Sequence, residues 1–476
     1  MTAHVAAVDL GASSGRVVLG AVGSGVLRTA TVARFDNAPV RLPDGLRWNL
    51  VELYAQAVQG LRAAERGANA GRGGGLASIG VDTWGVDYGL MRNGQMLGVP
   101  FHYRDDRTIE GVERVHSVAG YEELYARNGL QFLPFSTIYQ VAADTLICEA
   151  DQLLLVPDLL TFWLTGEAAT ERTNASTTGL LDVRTGEWDE ELARRLHIPA
   201  SVLGPLTDPG EFRGTLMPHV ADVVGAPGVQ VVAVGSHDTA SAVVGVPMQT
   251  DDAAYISCGT WGLVGLELEK PVLSGTARRA NFTNELGVDG RIRFLTNVMG
   301  LWLLSECIRT WERGGARESL KSLLSAAASL QPTKHLFDVQ DPIFLPPGDM
   351  PDRIVSWYDD ASLPGPASRA SMVRAIVDSL AQAFADAVDR AGDLAGKEIR
   401  VIHVVGGGAQ NALLCQETAN RSGRPVVAGP VEATALGNVL VQGRAIGAVA
   451  GDLEALRRLV VETEELVRYE PQRSKR

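Results

Sequence analysis

The sequence predicts an α/β protein built as two domains, each around a parallel or mixed sheet. Three observations predict it. At about 100–200 residues per domain, a chain of 476 residues holds two to four domains rather than one. Short apolar runs with the bounds of buried strands alternate with longer runs of helical period. One order (strand, glycine turn, strand, helix, strand) occurs once in each half, a repeat of domain size rather than a solenoid period.

The elements follow in order. Residues 5–10 form a short apolar run that meets an acid, Asp9, and a glycine-rich turn, which suits a buried strand. Strands over 17–20 and 26–35 come next, joined by Gly23-Ser24-Gly25. From Val51 the period changes. Apolar residues recur at Tyr54, Val58 and Leu61, which is helical spacing, and Asn49 with Glu52 makes a candidate capping box. A Gly-rich loop over 67–75 leads into a strand over 78–82. In the second half, a strand over 253–257 runs into Cys258-Gly259-Thr260-Trp261-Gly262 and returns over 263–266. The stretch 372–391 carries Ile376, Leu380 and Val388 on one helical face. A strand over 401–405 enters Gly406-Gly407-Gly408. A helix over 410–422 then ends at Gly423, and a strand over 425–428 and a helix over 433–445 follow. The break falls near Gly245-Val246-Pro247, giving domains 1–245 and 246–476. Residues from about 100 to 220 are mixed and polar and read as an insertion on the first domain, with no strands assigned.

Composition narrows the class. With 46% hydrophobic and 21% charged residues, the chain has material for sizeable cores, which excludes disorder, collagen and coiled coil. Lys and Arg number 43 against 56 Asp and Glu, a net charge of −13. So acidic a surface argues against nucleic acid or an anionic membrane as partner, though backbone amides, one arginine or a metal can still hold a small anion. Cys148, Cys258, Cys307 and Cys415 form no CxxC or Cys/His cluster, so neither a structural zinc nor a disulfide framework is expected. Asp9 interrupts the amino terminus before a signal-peptide core could form. No uncharged apolar run approaches the roughly 18 residues of a membrane span. The expectation is a soluble, cytoplasmic, multidomain enzyme, with no obligate protein partner evident.

Five motifs can carry chemistry. In Asp9-Leu10-Gly11-Ala12-Ser13-Ser14-Gly15-Arg16, a carboxylate at a strand end meets a tight turn of small residues. Backbone N–H groups there can approach phosphate, Asp9 can hold Mg²⁺ directly or through water, and Arg16 can add charge; an ordinary hairpin with a capping aspartate reads equally from the motif alone. Ile256 to Gly262 is a second turn of this build, with Gly259 and Thr260 as phosphate contacts, and two such turns in two halves are more specific than either. Gly406-Gly407-Gly408, between strand and helix, lets a flat adenine or ribose lie on bare backbone. In Gly235-Ser236-His237-Asp238-Thr239, Asp238 opens a helix over 239–244 and is either its cap or a general base for a hydroxyl that takes a phosphoryl group in line. His237 reads as a positioning hydrogen-bonder. In Gly80-Val81-Asp82-Thr83-Trp84-Gly85-Val86-Asp87, two acids, an indole and a bare glycine suit a polyhydroxylated ligand, or else a strand, a bulge and a core Trp. Asn297 is one more candidate for a sugar hydroxyl, and Trp302 reads as core.

Together these motifs, with Asn297-Val298-Met299-Gly300-Leu301-Trp302 and Val405 to Asn411, resemble the FGGY carbohydrate kinases. The likeness is strongest to the members acting on L-rhamnulose, and further stretches extend it in order from about Val5 to Gly437. The resemblance implies two actin-like, ribonuclease-H-like domains closing over a cleft, with ATP mainly on the second and sugar mainly on the first. It implies ATP and Mg²⁺ as cofactors and transfer of a phosphoryl group to O1 of L-rhamnulose in rhamnose catabolism. Residue by residue, Asp238 would accept the proton. Ala12, Ser13, Ser14, Gly15, Arg16, Thr260 and Gly408 would contact ATP, as would Ser305, which stands where the family carries a Gln. Gly85, His237, Asp238, Thr239 and Asn297 would contact the sugar, beside the acids Asp82 and Asp87, and Asp9 the metal. The lysine of the general family signature is not evident near Phe135-Ser136-Thr137-Ile138-Tyr139, which fits this branch of the family. The competing expectations are a kinase for L-fuculose, L-xylulose or ribulose, and a non-catalytic ATP- or sugar-binding protein of the actin-like kind.

Overall fold

A computed structural model describes residues 2–70, 74–315 and 317–472. The first sheet opens with β1 (Ala3–Leu10), β2 (Ser14–Gly23) and β3 (Val26–Asp36), antiparallel neighbours joined by tight turns. Helix α1 (Leu50–Ala70) crosses over to β4 (Ser78–Thr83), which lies parallel to β1. After the intervening segment, β5 (Phe212–Thr215) and β6 (Gln230–Val232) complete the order β5-β6-β4-β1-β2-β3, and α2 (Asp238–Val244) follows. Central β1 has Val5, Ala6, Ala7, Val8 and Leu10 all buried, the continuous apolar run expected of a strand covered on both faces.

One face of that sheet is covered by α1 through Leu50, Leu53, Ala57, Val58 and Leu61. Val51, from which the helical period was counted, is 64% exposed and lies outside this stripe. A Cβ at Gly60 would come 2.3 Å from Val17 Cγ2, so only glycine lets the helix lie this close to β2. The expected loop over 67–75 starts later than the composition suggests, because α1 continues to Ala70; residues 71–73 lie outside the described residues.

The second sheet repeats the plan. It contains β7 (Ala253–Cys258), β8 (Trp261–Leu268), β9 (Thr283–Leu286) and β10 (Ile292–Met299), then helices α3 (Trp302–Arg313) and α4 (Arg369–Ala395). These lead to β11 (Val401–Val405), α5 (Ala412–Ser422) and β12 (Val426–Ala428), followed by α6 (Ala433–Ala445), α7 (Leu453–Thr463) and β13 (Val467–Tyr469). The strand order is β9-β10-β8-β7-β11-β12-β13. As β1 pairs antiparallel with β2 and parallel with β4, so β7 pairs antiparallel with β8 and parallel with β11. β6 beside β4 then corresponds to β12 beside β11.

By compactness the chain divides into one unit of residues 1–247, 267–294 and 433–463, and another of 248–266, 295–432 and 464–476. The first cut lies close to the expected boundary after 245, while two later segments return to the first unit. There α6 covers the opposite face of the first sheet with Leu436, Val439 and Leu440, next to Val5, Ala7 and Val18. The polar stretch near 100–220 hides a core of its own. Its helices Thr108–Val118, Tyr121–Asn128 and Thr137–Ala142 and its strand Gln152–Leu155 bury Val115, Leu124, Ile138, Tyr139, Leu153 and Leu155 together.

Candidate active site

The carboxyl ends of β1 and β4 set two acids side by side, Asp9 opposite Asp82 in the parallel register, with Arg16 opposite Asp9 across the hairpin. Arg16 Nε donates to Asp9 Oδ2 at 2.8 Å and its Nη2 lies 2.6 Å from the same oxygen. Asp82 is fully buried and accepts from Asn438 Nδ2 of α6 at 2.5 Å through Oδ2, while Oδ1 has no hydrogen-bond partner among the described residues. Burial first, then the charges of Asp9 and Asp238, push the Asp82 carboxyl well above the usual range, against the pull of Asn438. The turn after β1 is pinned by Asn37, whose Nδ2 donates to Gly11 O at 2.8 Å, leaving Ala12 and Ser13 exposed. Gly15 is buried instead, and a Cβ there would meet the Phe35 ring at 2.3 Å, so its glycine serves packing in the hairpin.

The loop entering α2 lies beside β4, with Thr83 N–H donating to Ser236 O at 2.9 Å and Thr83 bridging to His237. Asp238 is the first helical residue and His237 the N-cap, with no side-chain capping bond, so Asp238 is not the cap it could have been. The Asp238 side chain is 31% exposed and accepts from Thr239 Oγ1 at 3.0 Å. A buried carboxylate that the motifs did not mark, Glu171, organises this loop. Its Oε2 accepts from Ser236 N at 2.9 Å and Ser236 Oγ at 2.7 Å, and it also takes the Thr173 hydroxyl. The only sequence signal for it was its place two residues before Thr173-Asn174-Ala175-Ser176-Thr177.

The segment from Trp84 to Asp87 departs from the sugar-facing expectation. Trp84 is buried, its ring 4.1 Å from that of Trp48 and tilted by 33°, and the His102 ring lies 4.1 Å from Trp48 at a tilt of 30°. Asp87 is 1% exposed and both its oxygens are engaged by the protein: Oδ2 accepts from Trp48 Nε1 at 2.5 Å and Trp84 Nε1 at 3.0 Å, and Oδ1 from Gln140 Nε2 at 2.8 Å. Burial raises its carboxyl to about 6 even though these donors oppose the shift. Asp82 is likewise fully buried, beside Asp9. Gly85 and Val86 are half-exposed, and Asp87 N–H donates back to Gly85 O at 3.0 Å around Val86 at φ 69°. A β-branched residue with that φ is strained, and here Thr137 Oγ1 holds its carbonyl at 2.7 Å.

In the second unit, two glycine turns pack together. Gly259 accepts from Leu301 N at 2.9 Å and Thr260 O from Trp302 N at 3.2 Å, with both Gly259 and Thr260 exposed. A Cβ on Gly408 would fall 2.4 Å from Cys258 Cβ and Sγ, so the triple-glycine loop sits directly on the first turn. Asn297 is half-exposed on β10, and Ser305 is exposed in the first turns of α3. Trp302, expected in the core, is half-buried and donates to Phe344 O at 3.0 Å.

Residues 4–245 match the FGGY family of carbohydrate kinases, N-terminal domain, and residues 254–446 its C-terminal domain. The chain is similar to a rhamnulokinase of Bacteroides thetaiotaomicron, 38% identical over 98% of this chain and 95% of that one. It is 40% identical to a rhamnulokinase of Pectobacterium carotovorum over 98% and 93%. Its fold is also that of a gluconate kinase from Lactobacillus acidophilus, with a TM-score of 0.79 at 17% identity over 99% and 94% of the two chains. A Plasmodium falciparum glycerol kinase with ADP gives 0.78 at 16% over 99% and 95%. With both halves matched in order along most of its length, the chain belongs to the FGGY family of carbohydrate kinases and is a sugar kinase.

Proposed function

We propose that this sugar kinase transfers the γ-phosphoryl group of ATP to O1 of L-rhamnulose, giving L-rhamnulose 1-phosphate and ADP in rhamnose breakdown. The observation that carries the substrate is its 38–40% identity, over 98% of the chain, to proteins named rhamnulokinase. Asp238 is the proposed base. It takes the hydroxyl proton as the oxygen attacks phosphorus in line, and its partial exposure and the Thr239 hydroxyl on Oδ1 support that role. In the first unit Gly85, His237 and Thr239 are the proposed sugar contacts, and Ala12, Ser13, Ser14 and Arg16 the proposed phosphate contacts; in the second, Asn297 serves the sugar and Thr260, Gly408 and Ser305 serve ATP. ATP as co-substrate supports a cytoplasmic location.

Mg²⁺ keeps several waters and takes one or two carboxylates beside nucleotide phosphates, and Asp9, backed by the unpartnered Asp82 Oδ1, fits that demand. The ion would neutralise charge on the phosphates, and Arg16 would exchange some of its hold on Asp9 for phosphate. An ADP-release assay across L-rhamnulose, L-fuculose, L-xylulose and D-ribulose tests the substrate; equal rates on all four would refute it. Asp238→Asn should keep ATP binding and lose transfer by about 10²–10⁴-fold, and near-normal turnover would remove the base assignment.

A further inference from the structure

His237 is held at its other ring nitrogen by two residues that no motif marked. Arg293, on β10, has a side chain with no exposure, and its Nε donates to Leu286 O at 3.1 Å. Its Nη2 lies 3.2 Å from His237 Nδ1, and its Nη1 lies 3.0 Å from Glu285 Oε2 on β9. Glu285 Oε2 is also 3.3 Å from His237 Nδ1, so guanidinium and carboxylate compete for one nitrogen.

Counting donors and acceptors settles the competition. A guanidinium has only donors, so a proton on Nδ1 would point two N–H groups at each other where no solvent reaches Arg293. With the proton on Nε2 instead, the Nδ1 lone pair accepts from Arg293, while Glu285 Oε2, which makes no hydrogen bond among the described residues, stays 3.0 Å from Arg293 Nη1 as its ion-pair partner. Burial would raise the Glu285 carboxyl, but the Arg293 charge beside it is the largest opposing influence and the carboxyl lies below the usual range, so Glu285 stays charged against Arg293. Nε2 then faces Asp238 Oδ1 from 3.6 Å, beyond hydrogen-bond distance and within reach of a hydroxyl placed between them.

We propose that Arg293, clamped by Glu285, fixes His237 as the neutral tautomer protonated at Nε2, so that the imidazole donates toward the substrate and does not compete with Asp238 for its proton. Both are positioning residues, and the proposal rests on the reading of Asp238 as base. The test uses the full chain with ¹⁵N-labelled histidine, the His237 signals being assigned by their loss in His237→Gln. The expected spectrum shows Nδ1 bare and Nε2 protonated; a protonated Nδ1 overturns the proposal. The double variant Arg293→Met, Glu285→Gln removes both charges together, leaving no unpaired buried charge. It should show mixed tautomers and a kcat lower by about ten- to a hundredfold, with the KM for ATP unchanged. An unaltered spectrum and kcat in the folded double variant also overturns it. If that variant fails to fold, the wild-type spectrum still decides. Turnover surviving in Asp238→Asn would sink the base reading alone, since the tautomer is read without it.

Discussion

Asp87 and Asp238 carry the same side chain, and burial separates their surroundings. Asp87 is sealed among two indoles and a glutamine amide, whereas Asp238 keeps 31% of its side chain open. The sequence marked both acids, since composition and spacing single out carboxylates, but spacing cannot say which one other side chains will cover. Asp87→Asn should therefore behave as a structural lesion. An amide has one acceptor oxygen, so its NH₂ would face either the indoles or Gln140, a donor set against a donor, at a cost of about 1–3 kcal/mol. Thermal unfolding should show a clearly lower Tm. A Tm unchanged beside a raised sugar KM would restore Asp87 as a sugar contact.

At the scale of elements, local signals served well wherever a rule acts within a few residues. Gly423 is the left-handed C-cap of α5, as expected from its place after the amphipathic run. The strands β1, β4, β7 and β11 lie where short apolar runs put them. Two glycines show what such rules leave out. Gly15 and Gly408 stand in turns of similar composition, yet what each requires is room for a distant partner, Phe35 for one and Cys258 for the other. Gly408→Ala should force the triple-glycine loop off Cys258, destabilising the protein by about 1–3 kcal/mol and raising the KM for ATP. Adding Cys258→Ala should recover part of both losses. Wild-type stability and ATP kinetics in Gly408→Ala alone would show that the loop does not need this contact.

For the whole molecule, the net charge of −13 describes the surface and says little about the proposed nucleotide site, where turn amides, one arginine and a metal would act locally. Chelation of divalent ions should abolish sugar phosphorylation, with Mg²⁺ restoring it. Mg·ATP at a hundred times its Kd should add about 2.7 kcal/mol to stability, read as a higher Tm. Full turnover in excess chelator would remove the metal from the reaction. Local patterns in the chain suffice for the class, two α/β domains of one plan, together with the glycine turns and acids that resemble those of a sugar kinase. Apolar period, turn residues and motif spacing are local and survive without long-range contacts. The return of residues 267–294 and 433–463 to the first unit, which brings Asn438 to Asp82 and Arg293 to His237, emerges from the folded chain alone. Burial, pKa and tautomer depend on neighbours far apart in the chain, and pairing across such separations leaves no period for a sequence to display.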